Sequence, residues 1–97
     1  FSIENIVYLE LLRRGYRVYI GKCGNAEVDF VAEKQGAFEY YQVTANMSAK
    51  ETVEREMRPL RSIRDNYRKT VLTFDRLTLG NYDGILVENV VDWLEGD

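Results

Sequence analysis

Histidine is absent from this 97-residue chain, and cysteine and proline occur once each. A zinc site is not expected, because zinc in proteins is usually held by histidine and cysteine. Cys23 has no second cysteine for an intrachain disulfide and no histidine to activate it, so we expect an incidental thiol. Any metal chemistry is left to carboxylate and carbonyl oxygens, which suit Mg²⁺ or Mn²⁺.

Long apolar runs are absent too. No stretch approaches the roughly 20 residues that a membrane span needs, and no signal-like segment opens the chain. We therefore expect a cytoplasmic protein without a membrane partner. A chain with 45% hydrophobic and 30% charged residues is typical of a single globular domain, here residues 1–97. Because it opens at Phe1 rather than at methionine, we expect it to be part of a longer polypeptide.

Charge is unevenly distributed along the chain. The net charge of -3 argues against a general polyanion binder, yet residues 55–69 hold six basic side chains against two acidic ones. This basic surface could follow a phosphate backbone. It could equally be a solvated helix face whose aliphatic stems pack on the core. The candidate nucleic-acid-binding residues are Arg55, Arg58, Arg61 and Arg64.

The first half of the chain predicts a helix followed by three strands. Apolar residues recur at helical spacing from Ile3 to Leu12, and Gly15 gives a stop signal. The stretch "YRVYIGKCGN" predicts a strand, and residues 27–45 predict two more strands joined by a turn at residues 34–36.

The second half predicts a helix, a strand, and a short strand with a closing helix. Ser48 and Glu51 match a capping box, so a helix should begin there, and Pro59 should kink or divide it. "KTVLTF" predicts a strand, "GNYDG" a turn, "ILV" a short strand, and "NVVDWL" a helix capped by Asn89. This order predicts one α/β domain with a mixed sheet covered by helices on both faces.

Three side chains of the predicted hairpin could form an oxygen-rich site. Side chains in a strand alternate between faces, so Asp29 should point away from the face shared by Val28 and Phe30. Gln42 and Thr44 share one face of the next strand, where Gln42 is expected as a hairpin neighbour of Asp29. Phosphodiester hydrolysis needs such a carboxylate, a second oxygen ligand and usually a positive group. Glu4 is the candidate for a second acid, if the first helix packs across this strand end.

These residues resemble a known family. The helix "ENIVYLELLRRGY", followed by "EVDF" and "YQV", resembles the PD-(D/E)xK superfamily, which has the restriction-endonuclease-like fold. More closely, "ENIVYLELLRRGYRVYIGK", "EVDFVAEK" and "YYQVT" resemble a C-terminal domain of unknown function in prokaryotic ATP-binding proteins, where it follows an AAA-type ATPase module. The resemblance implies a restriction-endonuclease-like αβββαβ core with helices flanking the sheet, then a short strand and a C-terminal helix.

The resemblance also assigns roles to individual residues. The helical acid falls on Glu4, the metal-binding aspartate on Asp29, and the (D/E/Q)-x-K triplet on Gln42, Val43 and Thr44. Asp29, Gln42 and the Val43 carbonyl would then be ligands for Mg²⁺ or Mn²⁺. Thr44 departs from the pattern, because active members carry a lysine there, and losing such a charge commonly costs on the order of 10²-fold in rate. Replacement lysines could come from the positions Lys22, Lys34 and Lys50.

The leading hypothesis is a nuclease-like C-terminal domain with a degenerate metal site, which engages nucleic acid, such as DNA, or a protein partner. ATP would bind only in the ATPase module of the same chain, and a homo-oligomer is left open. The alternatives are an active nuclease that uses a displaced lysine and a purely structural interaction module.

Overall fold

A computed structural model describes residues 2–96, and for Cys23 it describes the backbone only, so the predicted character of its thiol lies outside the described part. The helices are α1 (Ile3–Arg13), α2 (Lys50–Arg61) and α3 (Val90–Glu95). The strands are β1 (Arg17–Cys23), β2 (Ala26–Lys34), β3 (Ala37–Thr44), β4 (Arg68–Thr73), β5 (Gly80–Tyr82) and β6 (Ile85–Asn89).

The strands form one mixed sheet in the order β1-β2-β3-β4-β6-β5. Neighbours β1, β2 and β3 are antiparallel, whereas β3, β4 and β6 run parallel, and β5 returns antiparallel along β6. Parallel neighbours need a crossover connection, and α2 supplies it between β3 and β4. The predicted α/β class, with its αβββαβ core, short strand and C-terminal helix, is confirmed.

Two apolar cores lie on opposite faces of the sheet. Val7 and Leu11 of α1 and Trp93 of α3 pack on one face, whereas Met57 and Leu60 of α2 pack on the other. The sheet residues of the first core are Phe30, Ala32, Tyr41, Val43 and Leu72, and those of the second include Val28, Val31, Tyr40, Val71 and Val87. A sheet buried on both faces holds its strand ends rigidly, which makes them suitable positions for functional side chains.

Two local predictions are confirmed by the backbone. Gln35 and Gly36 both have positive φ, 54° and 83°, as the two-residue turn of a tight hairpin requires. Asn89 caps α3, since its Oδ1 accepts hydrogen bonds from the amides of Val91 and Asp92 at 3.0 and 3.1 Å.

The capping box predicted at Ser48 is wrong. Helix α2 begins at Lys50, and its N-cap, Ala49, makes no side-chain hydrogen bond to the helix. The Ser48 hydroxyl instead donates to Asn46 Oδ1 at 3.1 Å, because the amide side chain in the preceding loop offers a nearer partner.

Two predictions about interruptions of regular structure also need correction. The predicted division of α2 at Pro59 is wrong: the helix continues to Arg61, because the proline lies in its last turn and removes a single amide donor there. The stretch "GNYDG" is not all turn. Gly80–Tyr82 form β5, and the turn contracts to Asp83 and Gly84, because Tyr82 pairs directly with Ile85. Across residues 2–96 no helix combines the length and apolar character that a membrane crossing demands.

Candidate functional site

Asp29 is an extra residue in β2. Across the β1–β2 ladder, Ile20 pairs with Phe30 and the next residue, Gly21, pairs with Val28, so Asp29 has no partner on β1. The β2–β3 ladder runs from Lys34 only as far as Phe30. Asp29 is therefore a β-bulge, a device that bends a strand and redirects a side chain.

The predicted alternation of side chains between the two faces of β2 is wrong at the bulge. Val28 packs with the α2 core, whereas Phe30 packs with the α1 core, so the two residues do not share a face. Strict period-two alternation assumes an unbroken ladder, and the extra residue between them shifts the phase.

The Asp29 and Gln42 side chains tie β2 to β3 beyond the end of their ladder. The Asp29 amide donates to Gln42 Oε1 at 2.8 Å, and the Val43 amide donates to Asp29 Oδ2 at 2.8 Å. We call these two bonds the Asp29–Gln42 clasp. They confirm the expectation that Asp29 and Gln42 are neighbours across the hairpin.

Gln42 and Thr44 of the triplet are engaged in structural hydrogen bonds. Buried Gln42 also donates from Nε2 to the Glu56 carbonyl at 3.2 Å, which links β3 to α2. The Thr44 hydroxyl donates to the Asn46 carbonyl at 3.2 Å. Both ends of the Gln42 amide are thus occupied, and Thr44 supplies no charge.

Half-buried Asp29 lies between two clefts. One, of about 400 Å³, brings Asp29 together with Glu27, Arg55 and Glu56, and we call it the α2 cleft. The other, of about 610 Å³, brings Asp29 together with Glu4 and Tyr8 of α1. Helix α1 therefore carries Glu4 to the Asp29 strand end, as the sequence predicted.

The carboxylates around this strand end perturb one another. Burial raises the pKa of Asp29, the hydrogen bond from the Val43 amide opposes that rise, and the charge of Glu4 adds to it. Burial likewise raises the pKa of Glu56, and the charge of Asp29 raises it further against the opposing Arg55. Neighbouring carboxylates that raise the pKa of one another favour the binding of a cation.

One predicted ligand atom, Gln42 Oε1, accepts a hydrogen bond from the Asp29 amide, and within residues 2–96 no cluster of three or more His, Cys, Asp or Glu side chains could hold a metal. Asp29 and Glu56, which line the same cleft, offer two carboxylates. Mg²⁺ is commonly held by one or two carboxylates, several waters and the phosphates of a substrate. Asp29 with Glu56 fits that arrangement.

Glu56 is the site residue that sequence reasoning missed. In the charge pattern of residues 55–69 it is only one of two acids against six basic side chains. Its position was nevertheless readable, because Val53, Glu56, Met57 and Leu60 follow the i, i+3, i+4, i+7 spacing of a buried helix face. A carboxylate at such a position, 13% exposed here, is a signal for a functional or paired acid.

The three replacement lysines lie elsewhere. Lys34 Nζ is 4.5 Å from the centre of the Tyr16 ring, Lys22 lines a groove beside Tyr19, and Lys50 lies at the start of α2. None of them lines either Asp29 cleft in the described part of the chain. A displaced lysine therefore has no support from the geometry.

The predicted basic surface is partly neutralised. Arg58 and Arg61 both pair with Glu54, at 3.7 and 3.1 Å, and Arg55 lies 3.6 Å from Glu56. Exposed ion pairs of this kind contribute little stability and exchange readily with other anions. Arg64 is exposed and makes no ion pair within residues 2–96.

Comparison with known proteins adds one relative. No protein-family model matches the chain. It is 42% identical over 92 residues to a Haemophilus influenzae protein described as uncharacterized, and the alignment takes in 95% of this chain but 22% of that protein. The chain thus spans less than a quarter of the length of its relative.

Proposed function

We propose that this domain is a nuclease-like module that binds a nucleic-acid phosphate at the α2 cleft, together with a divalent cation, and does not cleave it efficiently. The observation that carries the proposal is the bulged Asp29, which shares the α2 cleft with Glu56 and Arg55. It agrees with the resemblance to the PD-(D/E)xK superfamily, whose central aspartate falls on Asp29.

The charge of the α2 cleft makes the cation necessary. Its lining includes three carboxylates, those of Glu27, Asp29 and Glu56, against the single guanidinium of Arg55. A phosphodiester group would be repelled by this excess of negative charge. A divalent ion between Asp29 and Glu56 would reverse the local charge and let the phosphate complete its coordination.

The triplet lacks the positively charged group that efficient cleavage needs. The Thr44 hydroxyl is directed to the Asn46 carbonyl, and the three lysines lie away from the Asp29 clefts. Without a charge beside the attacking water, cleavage should be slower by on the order of 10²-fold or more.

We also place the domain in a longer chain with an AAA-type ATPase module. The supporting facts are the resemblance and the 22% share of the Haemophilus protein that aligns with this chain. A Walker-type GxxxxGK(S/T) sequence upstream of residue 1 is the expected mark of that module.

The test compares the binding of labelled single-stranded and duplex DNA with Mg²⁺, with Mn²⁺ and with EDTA. We expect binding that requires the divalent ion and weakens by about tenfold or more in Asp29→Asn. This variant keeps an acceptor for the Val43 amide but removes the charge. Asp92→Ala, which removes an exposed acid of α3, is the matched control and should bind like the wild type.

Two results would contradict the proposal in different ways. Metal-dependent cutting that disappears in Asp29→Asn would show an active nuclease and refute degeneracy. Absence of DNA binding in every metal condition would leave a protein-interaction module, for which Leu77, 95% exposed in the β4–β5 loop, and half-exposed Phe74 offer apolar contacts.

A further inference from the structure

The four arginines proposed to meet phosphate differ in what surrounds them. Arg58 and Arg61 share Glu54 on the outer side of α2, and Arg64 lies beyond the end of the helix. Arg55 alone of the four lines the α2 cleft, where it joins Asp29 and Glu56. The basic surface therefore contains one arginine at the candidate site and three outside it.

Arg55 is loosely held. Its Nε atom lies 3.6 Å from Glu56 Oε2, beyond normal hydrogen-bond length, and the side chain is 68% exposed. Arg58, 3.7 Å from Glu54 and 78% exposed, is held as loosely, whereas Arg61 donates from Nη1 to Glu54 Oε1 at 3.1 Å. A weakly paired guanidinium can turn to a bound anion at little cost, and its planar fork matches two phosphate oxygens. Position in the α2 cleft therefore distinguishes Arg55 from Arg58.

Arg55 also occupies a distinct electrostatic position. It lines the α2 cleft together with Asp29 and Glu56, and its Nε atom lies 3.6 Å from Glu56 Oε2. The third triplet residue, Thr44, turns to the Asn46 carbonyl and leaves the cleft without a charge from β3. The positive group that lines the Asp29 cleft thus comes from helix α2 rather than from β3.

We propose that Arg55 is the residue that contacts the phosphate group in the α2 cleft, and that Arg58, Arg61 and Arg64 are not part of this site. The assignment rests on the proposed function. A single phosphate contact beside Asp29 and Glu56, the carboxylates proposed to hold the divalent ion, then takes the place of the broad basic surface predicted from the sequence.

The experiment measures affinity for labelled single-stranded DNA by fluorescence anisotropy, in Ca²⁺ so that binding is read without cleavage. Arg55→Ala is compared with Arg58→Ala and Arg61→Ala, which remove the same charge from the same helix. We expect Arg55→Ala to weaken binding by about tenfold and to lower the salt slope by about one, since one phosphate contact is lost. The two controls should change affinity by less than about twofold.

Arg55→Lys tests the role of the guanidinium fork. It keeps the charge but not the bidentate geometry, so its affinity should fall between wild type and Arg55→Ala. Unfolding in urea should be unchanged in all four variants, because the replaced side chains are exposed or half-exposed.

The outcomes separate this inference from the proposed function. If Arg58→Ala and Arg61→Ala weaken binding as much as Arg55→Ala, phosphate follows the whole helix face and the assignment to Arg55 is wrong, while nucleic-acid binding stands. Unchanged affinity in Arg55→Ala, with a loss in Asp29→Asn, also overturns the assignment alone. A wild-type chain that binds no DNA overturns both.

Discussion

Two aspartates at different ends of the sheet show how the same side chain can be used for stability or left open for chemistry. Asp65, between α2 and β4, accepts hydrogen bonds from Lys69 Nζ at 2.7 Å, the Tyr40 hydroxyl at 2.6 Å and the Tyr67 amide at 3.0 Å. Asp29 accepts one, from the Val43 amide, and its charged neighbours Glu4 and Glu56 are acids.

The two environments move the pKa values in opposite directions. Burial acts to raise the pKa of Asp65, but the hydrogen bonds from Lys69, Tyr40 and the Tyr67 amide outweigh it and lower the value. Burial raises the pKa of Asp29, and the single amide bond does not offset it. Ionised Asp65 therefore stabilises the fold, whereas ionisation of Asp29 carries a cost to the fold. Such a cost is typical of functional positions.

The largest effect on stability is expected from removing the Lys69 ammonium that holds Asp65. Lys69→Met removes a nearly buried ammonium that donates to the Asp65 carboxylate and to the carbonyls of Asp65 and Tyr67. We expect a loss of about 2–3 kcal/mol in the free energy of unfolding, below the full cost of breaking a buried pair because Asp65 is partly solvated.

Urea unfolding at pH 7 measures this loss. Lys50→Met, at the exposed start of α2, is the control and should change stability by less than about 0.5 kcal/mol. Equal stability of the two variants would mean that the Lys69 network contributes nothing and that Asp65 is no better satisfied than Asp29.

A smaller loss is expected from Gln42→Glu, which removes the hydrogen bond from residue 42 to the Glu56 carbonyl and adds a charge next to the Asp29–Gln42 clasp. A carboxylate still accepts from the Asp29 amide, but it cannot donate to the Glu56 carbonyl and adds a charge beside Asp29. We expect a loss of about 1–2 kcal/mol at pH 7. Because burial raises the pKa of the new acid, the loss should shrink as the pH falls and the group is protonated.

Gln35→Glu makes the same chemical change in the exposed hairpin turn. It should cost less than about 0.5 kcal/mol, with little dependence on pH. A Gln42→Glu variant as stable as Gln35→Glu would show that the amide donor is not needed and that a metal-type carboxylate is tolerated there.

Predictions from sequence succeeded where local rules decide the structure. The hairpin turn at Gln35 and Gly36 and the cap at Asn89 depend on neighbouring residues alone, and both are confirmed. The prediction of a Ser48 capping box is wrong because the Asn46 side chain offers a competing local acceptor. The αβββαβ order follows from alternation and helical spacing, but the brief strand β5 is formed by pairing with β6, which no local pattern reveals.

The candidate site was only half predictable for a similar reason. Asp29 and Gln42 were expected to be neighbours, because hairpin pairing follows from the turn. The bulge at Asp29 and the position of Arg55 and Glu56 depend on how β1 and α2 pack against that hairpin. Tertiary packing thus decided which charges surround Asp29, and among the charged candidates that the sequence offered for this site, Glu4 lines a cleft with Asp29 whereas the three lysines do not.

The smallest effect on stability is expected from neutralising Asp29. Asp29→Asn keeps an acceptor for the Val43 amide and removes an ionised group whose pKa in the folded state lies above its ordinary value of 3.8. The folded state therefore binds the proton more tightly than the unfolded state, so ionised Asp29 destabilises the fold at pH 7 and this penalty disappears as the pH falls through the folded-state pKa. Asp29→Asn should be as stable as wild type or more stable at pH 7, by less than about 1 kcal/mol, and the two should converge under acid.

Asp65→Asn should behave oppositely, because the stabilisation from Asp65 is complete above pH 3.8 and is lost as the pH falls through its lowered folded-state pKa. Urea unfolding of the three proteins between pH 3 and pH 7 distinguishes the signs. A loss of stability in Asp29→Asn at pH 7 as large as that in Asp65→Asn would make both aspartates structural and would remove the physical reason for treating Asp29 as the centre of a site.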